Sequence, residues 1–258
     1  MIVRGFTEHH GTKVKIKIGK TMKYKKFIRY YSFSRIVRYH KATGKRKDKT
    51  MMLYYANLKI AQTFHPLLGI LEVILRNRLH SELAKYFKDS DWIINQKKGF
   101  MIDSRLSREN KKTKKIITND YLLKEVVKSE YKLKKNNIKF TSERILAEQT
   151  LGFWVSLFDP IHYTILKGVP CQIFHKLPKQ YGRKKIFTIL SEIRDFRNRI
   201  NHNEPICFSG NNIDFTHAIN MYHSIMNLLE WIDPEIVISL KELDKVKDTI
   251  KKEIKKQS

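Results

Sequence analysis

The sequence is short of acid. Its 258 residues hold 25 Asp and Glu against 52 Lys and Arg, a formal net charge of +27, which is far more than solubility requires. The simplest reason for such an imbalance is a polyanionic partner, and nucleic acid is expected ahead of an anionic membrane surface. Cysteine is scarce too: Cys171 and Cys207 stand alone without CxxC spacing, which argues against a disulfide framework or a thiolate zinc site and suits a reducing cytoplasm. The histidines His9, His10, His40, His65, His162, His175, His217 and His223 show no HExxH or paired-ligand spacing, so no metal site is expected. Walker A and GxGxxG patterns are missing, and no cofactor is expected. No apolar run approaches the roughly 18 residues of a membrane span, and the opening MIVRGFTEHH has no apolar h-region, so a soluble, cytoplasmic protein without a membrane partner is expected. No stretch rich in Pro, Gly or Ser divides the chain, and 41% hydrophobic residues can supply a core, so one compact domain with an N-terminal extension is expected.

What is present is unevenly placed. Residues 1–50 hold 16 of the Lys and Arg and only two acids, Glu8 and Asp48, so about half of the excess charge lies in the first fifth of the chain. Within this basic arm Val14, Ile16 and Ile18 alternate with Lys13, Lys15 and Lys17, a period of two that predicts one short lysine-faced strand or hairpin. From Met22 to about His40 the period becomes helical, and residues 42–49, ATGKRKDK, form a charged loop with a glycine breaker. Residues 51–87 carry the strongest helical signal: Leu67, Leu68, Leu71, Leu75 and Leu79 make one stripe, as a central helix would. Pro66 lies inside it, where a helix start or a kink is expected.

Residues 88–140 are polar and lysine-rich and read as surface helices and loops. Helical patterns return at 142–158, 183–202, 213–232 and 234–252. Thr141 or Ser142 is placed to cap the first, and Pro234 after Asp233 suits the first turn of the last. The fold class is all-α, apart from the N-terminal strand.

The segment EIRDFRNRINHNEP, residues 192–205, has two faces. On a wheel at about 100° per residue, Ile193, Phe196 and Ile200 cluster on one side, while Arg197, Asn201, Arg194, Asn198 and His202 share a separate arc. Taken alone, a helix end with Arg and His is a solvated surface. The chemistry it could perform is more specific. Metal-free RNA cleavage needs a group to take the 2′-OH proton, a group to protonate the leaving 5′-oxygen, and positive charge on the phosphorane. Imidazole suits both proton transfers, and a guanidinium can donate two hydrogen bonds to phosphate. One histidine per site makes two facing protomers the economical way to supply acid and base.

RNRINHNEPI, residues 197–206, resembles the RNRxxHHEPI signature of the Abi-like abortive-infection proteins (the AbiD and AbiF group), a bacterial phage-defence family of the HEPN clan. HPLLGILEVILRNRLH, residues 65–80, is similar to the family's LExxLRN helix, and EQTLGFWVSLFDP, residues 148–160, to its FGFW segment. The segments keep the family's order over roughly residues 50–230. The resemblance implies an α-helical HEPN bundle over 51–258, a homodimer, and ribonuclease activity through an RNxxxH motif that Arg197, Asn198 and His202 match. Asn203 departs from the pattern, which commonly has a second histidine there.

The expected function is therefore an endoribonuclease effector of phage defence, cleaving RNA without metal to leave a 2′,3′-cyclic phosphate. Its RNA surface is expected to comprise Arg194, Arg199 and Asn201 beside the catalytic set, and Lys13, Lys15, Lys17, Lys23, Lys25, Lys26, Arg29, Arg35 and Arg38 on the arm. Lysines and arginines interleave Tyr24, Phe27, Tyr30, Tyr31 and Tyr39, which leaves core packing and base stacking both open. The alternative is a non-catalytic RNA-binding protein in a ribonucleoprotein with a regulatory small RNA; a DNA-binding regulator is a third, less favoured. RNRLH, residues 76–80, echoes the catalytic run with one residue fewer, and is read as structural, with Glu72 pairing Arg76 one turn on. Phe153 and Trp154 are read as core.

Overall fold

Helical spacing of apolar residues dominates the sequence, and the computed structural model, which describes residues 22–256, is mostly α: 69% of those residues are helical and 4% are in strands. The chain divides into two units, Met1–Met51 and Met52–Ser258.

In the first unit, α1 (Tyr24–Tyr31) and α2 (Phe33–Ala42) replace the single helical stretch expected over 22–40. They are separated by Ser32 at φ 63°, ψ 145°, outside the helical region, and its hydroxyl accepts the N–H of Arg35 at 3.4 Å to start the second helix. The loop at 43–46 turns through Gly44 (φ 62°) and Lys45 (φ 60°). Beside it the buried hydroxyls of Thr43 and Thr50 lie 2.9 Å apart, and Thr50 donates to the Arg46 carbonyl at 2.6 Å. Of the arm's aromatics, Phe27 and Tyr39 are buried and belong to the packing, whereas Tyr30 is 63% exposed. The expected strand at Val14, Ile16 and Ile18, with Lys13, Lys15 and Lys17, lies outside the described residues.

Helix α3 (Lys47–Phe87) begins in the first unit and supplies the second. Leu53, Ala56, Ile60, Phe64, Leu67, Leu71, Leu75, Leu79 and Leu83 recur at intervals of three and four and are all buried, the stripe of a core helix. Pro66 neither starts nor ends it: the helix runs through. Pro66 and Gln62, whose carbonyl loses its partner, are both exposed, so water can take the place of the missing N–H. Among the described residues α3 alone is long and apolar enough, by length and composition, to cross a membrane, but 39% of its most apolar stretch is buried inside the protein.

After α3 come α4 (Trp92–Asn95), three short 3-10 turns and a hairpin of β1 (Ser107–Glu109) and β2 (Ile116–Thr118). There follow α5 (Tyr121–Lys135), α6 (Ser142–Glu148), α7 (Leu151–Ser156), α8 (Pro160–Ile165) and α9 (Arg183–Asn201). A second small hairpin, β3 (Phe208–Ser209) with β4 (Asn212–Ile213), leads to α10 (Thr216–Ile232), α11 (Pro234–Ser239) and α12 (Val246–Lys255).

Neither hairpin was expected from the pattern. The helix predicted over 142–158 is interrupted at Gln149, whose buried amide donates to Ser129 Oγ at 3.0 Å and to the Ile145 carbonyl at 2.9 Å. The last predicted helix is likewise two, α11 and α12. The caps fall where the residue types place them: Thr141 caps α6, and Asp233 caps α11 ahead of Pro234. Phe153 and Trp154 are fully buried.

Candidate functional site

The rotation of α9 is set by its apolar face. Ile186, Ile189, Leu190, Ile193, Phe196 and Ile200 are buried, and each such side chain contributes about 1.5 to 3 kcal/mol on leaving water. Phe196 stands edge-on to Phe64 of α3, with ring centroids 4.9 Å apart, and edge-on to His217 of α10 at 5.6 Å. With that face held, Asn198, Asn201 and His202 are exposed and Arg197 is partly so. His202 is the C-cap, and its N–H donates to the Asn198 carbonyl at 3.0 Å, so the two residues sit one turn apart on the same outward face.

Arg197 has a partner the sequence reading assigned elsewhere. Its Nη2 lies 3.4 Å from Oε2 of Glu72 on α3. Glu72 was expected to pair with Arg76 along its own helix; instead Arg76 donates to Asn77 Oδ1 at 3.4 Å. The physical reason is reach: Glu72 faces α9, where a guanidinium from another helix meets it. Arg194 donates through Nε to its neighbour Asp195 at 3.0 Å, so its charge is offset within the helix surface.

The end of α9 is closed by the backbone. Glu204 N–H donates to the Arg199 carbonyl at 2.8 Å and Asn203 N–H to the Ile200 carbonyl at 3.0 Å, with Asn203 in the left-handed region at φ 51°. This is the six-to-one and five-to-two pairing of a Schellman cap. Asn203 thus occupies a position where Asn is among the few non-glycine residues well tolerated.

Arg199, expected on the RNA surface, is drawn into the same turn. It donates from Nη2 to the Pro205 carbonyl at 2.7 Å and lies 3.7 Å from the Glu204 carboxylate. Below the turn, the fully buried Asn57 of α3 accepts the Ile206 N–H at 2.7 Å and donates to the Glu204 carbonyl at 3.4 Å. Asn57 was missed in the sequence, although a lone amide between Ala56 and Ile60 in an apolar stripe is the signal that could have found it.

The echo run ends at His80, whose Nδ1 accepts the indole N–H of Trp92 at 3.0 Å, while Arg78 meets His175 at 3.1 Å. Burial pushes the His80 imidazole below its usual 6.5, against the pull of Glu143 and Asp91. The His80 contact ties α3 to the buried Trp92 of α4, whereas the Arg78 contact lies at the surface. In the first unit, Lys23 precedes α1, Lys25, Lys26 and Arg29 lie on it, and Arg35 and Arg38 lie on α2; all are exposed except the half-buried Arg38. Lys26 sits over the Tyr30 ring at 5.9 Å, so cation and aromatic alternate on that surface.

Among the described residues no group of three or more His, Cys, Asp or Glu is placed to hold a metal ion. Compared with family models, with curated proteins and with solved structures, the chain matches none.

Proposed function

We propose that the chain is a metal-independent endoribonuclease of the HEPN type, acting in the cytoplasm as a homodimer and as an effector of phage defence. The observation that carries the reading is the end of α9: an arginine braced by a carboxylate from a second helix, with an asparagine and a histidine presented to solvent one turn apart.

In the proposed reaction the substrate's 2′-oxygen attacks phosphorus as its proton passes to an imidazole. The bond from phosphorus to the 5′-oxygen then breaks as that oxygen takes a proton, leaving a 2′,3′-cyclic phosphate and a 5′-hydroxyl. His202 of each protomer serves as one of the two proton carriers. Arg197 donates to the phosphate oxygens as charge builds there, and Asn198 positions the phosphate or the imidazole. The resemblance of residues 197–206 to the Abi-like signature supports the same assignment and supplies the biological role.

The test is incubation of the purified protein and of His202→Ala with total RNA in excess EDTA, reading fragments and their ends. Cleavage by the wild type alone, with cyclic-phosphate ends, is the expected result; intact RNA in both lanes counts against the enzyme.

The exposed Lys23, Lys25, Lys26 and Arg29 beside Tyr30 favour a second reading, in which the chain binds a regulatory small RNA without cutting it. Glutamine at those four basic positions would then remove binding of that RNA, whereas the enzymatic reading keeps cleavage.

A further inference from the structure

The hairpin β1–β2 contributes nothing to the core. All six of its strand residues are exposed, Ile116 by 76% and Ile117 by 46%. An isolated two-stranded ribbon is marginal in water, yet this one is closely specified. Asn110 closes the loop: its N–H donates to the Lys115 carbonyl and its carbonyl accepts from Lys114 N–H, both at 2.8 Å. Its side-chain oxygen accepts the N–H of Lys112 at 2.9 Å and of Thr113 at 3.1 Å. The hydroxyls of Ser107 and Thr118 meet across the strands at 2.8 Å.

The root is anchored as well. Asn119 donates its N–H to the carbonyl of buried Leu106 at 2.9 Å and its side-chain amide to Asp159 at 3.2 Å. Asp159 also caps α8 and holds the buried His162 ring at 2.6 Å.

What this fixed ribbon displays is charge. Lys111, Lys112, Lys114 and Lys115 crowd its tip, all exposed, and the one acid nearby, Glu109, lies 3.3 Å from Lys114. Lys114 has φ 58°, a left-handed position that glycine fills without strain. A lysine there weakens the turn while adding a cation to its tip.

We infer that this hairpin is a separate RNA-gripping element, its lysines neutralising phosphates of the RNA backbone away from the cleavage chemistry; the inference rests on the proposed RNA-acting function. Phosphate contacts of this kind position a nucleic acid without reading its sequence. The order of residues favours RNA over a lipid surface. A hairpin that enters a membrane carries apolar residues at its tip and cations behind, and here the cations hold the tip while Ile116 and Ile117 lie in the strand.

The experiment measures binding of a labelled structured RNA across a series of KCl concentrations, in the His202→Ala background so that the RNA stays intact. Two variants are compared with that parent: one with glutamine at all four tip lysines, and Lys114→Gly alone. The fourfold variant is expected to bind on the order of tenfold to a hundredfold more weakly, with the slope of log affinity against log salt reduced by about 3 to 3.5, since each of the four phosphate contacts contributes roughly 0.7 to 0.9 to that slope. Lys114→Gly is expected to melt at the same or a higher temperature and still bind less tightly, separating the lysine's charge from the stability of the turn.

Unchanged affinity and slope in the fourfold variant would overturn the hairpin's role and leave the ribonuclease reading standing. A parent that binds no RNA at any salt would overturn the RNA reading itself. Loss of binding to vesicles of phosphatidylglycerol and phosphatidylcholine, with RNA binding intact, would assign the hairpin to a membrane and overturn the inference.

Discussion

Glu72 and Arg197 stand 125 positions apart in the sequence and meet at 3.4 Å between α3 and α9. The contact is through one guanidinium nitrogen, so the remaining donors of Arg197 stay available to a phosphate. Both side chains are partly exposed, 31% for Arg197 and 22% for Glu72, and a pair so placed contributes no more than about 1 kcal/mol to stability. Its larger effect is on orientation.

On the proposed ribonuclease mechanism, Glu72→Gln is therefore expected to leave the melting temperature nearly unchanged and to lower single-turnover RNA cleavage on the order of tenfold to a hundredfold, because a misplaced catalytic group loses rate steeply. RNA affinity should change far less. Equal cleavage by the variant and the wild type would mean that packing alone, through Phe64 and Phe196, sets the arginine.

Asn57 makes the opposite prediction, a large effect on stability. It is fully buried and uses both ends of its amide on backbone groups of the turn after α9. Asn57→Ala strands an N–H and a carbonyl, at about 1 to 3 kcal/mol each where water cannot follow. Asn57→Asp should be worse at neutral pH, since a buried carboxylate would face the Glu204 carbonyl with no proton to share. Thermal melts rank the three proteins, and hydrogen exchange at the Ile206 amide locates the loss; equal melting temperatures would refute the assignment.

These two contacts show where the sequence stops being informative. The outline of α9 was readable because Ile193, Phe196 and Ile200 recur at helical spacing, and that spacing alone turns Asn198 and His202 outward. The stripe of α3 was readable for the same reason. The partners of Glu72 and Asn57 were not, since periodicity reports which face is buried and says nothing of which distant segment lies against it. Ser32 breaks a run whose apolar period continues on both sides, so the pattern carried no sign of the turn. The hairpin at 107–118 escaped because a ribbon with no buried face has no need of alternating hydrophobicity, the signal by which strands are recognised.

Asn203 tests the cap. At φ 51° it accepts a conformation that glycine adopts freely and β-branched residues resist. Asn203→Gly is expected to stabilise the protein by a few tenths up to about 1 kcal/mol, and Asn203→Val to destabilise it by about 1 to 2 kcal/mol. Chemical denaturation of the three proteins decides it. Glycine and valine variants of equal stability would mean the turn does not hold the left-handed residue in solution.

His80 gives the pH dependence. Its Nδ1 accepts the Trp92 indole N–H at 3.0 Å, which requires an unprotonated nitrogen, and burial lowers its pKa from 6.5 while Glu143 and Asp91 oppose the shift. The folded protein therefore binds this proton less readily than the unfolded chain does. As pH falls below about 6.5 the unfolded state gains protons first, so stability that is fully present above that value is lost on the acid side.

His80→Gln keeps an oxygen able to accept the indole N–H but has nothing to titrate. Urea denaturation at about pH 7.5 and pH 5.5 should show a smaller acid-side loss in the variant than in the wild type. Parallel losses in both proteins would place the acid sensitivity elsewhere and remove His80 as its source.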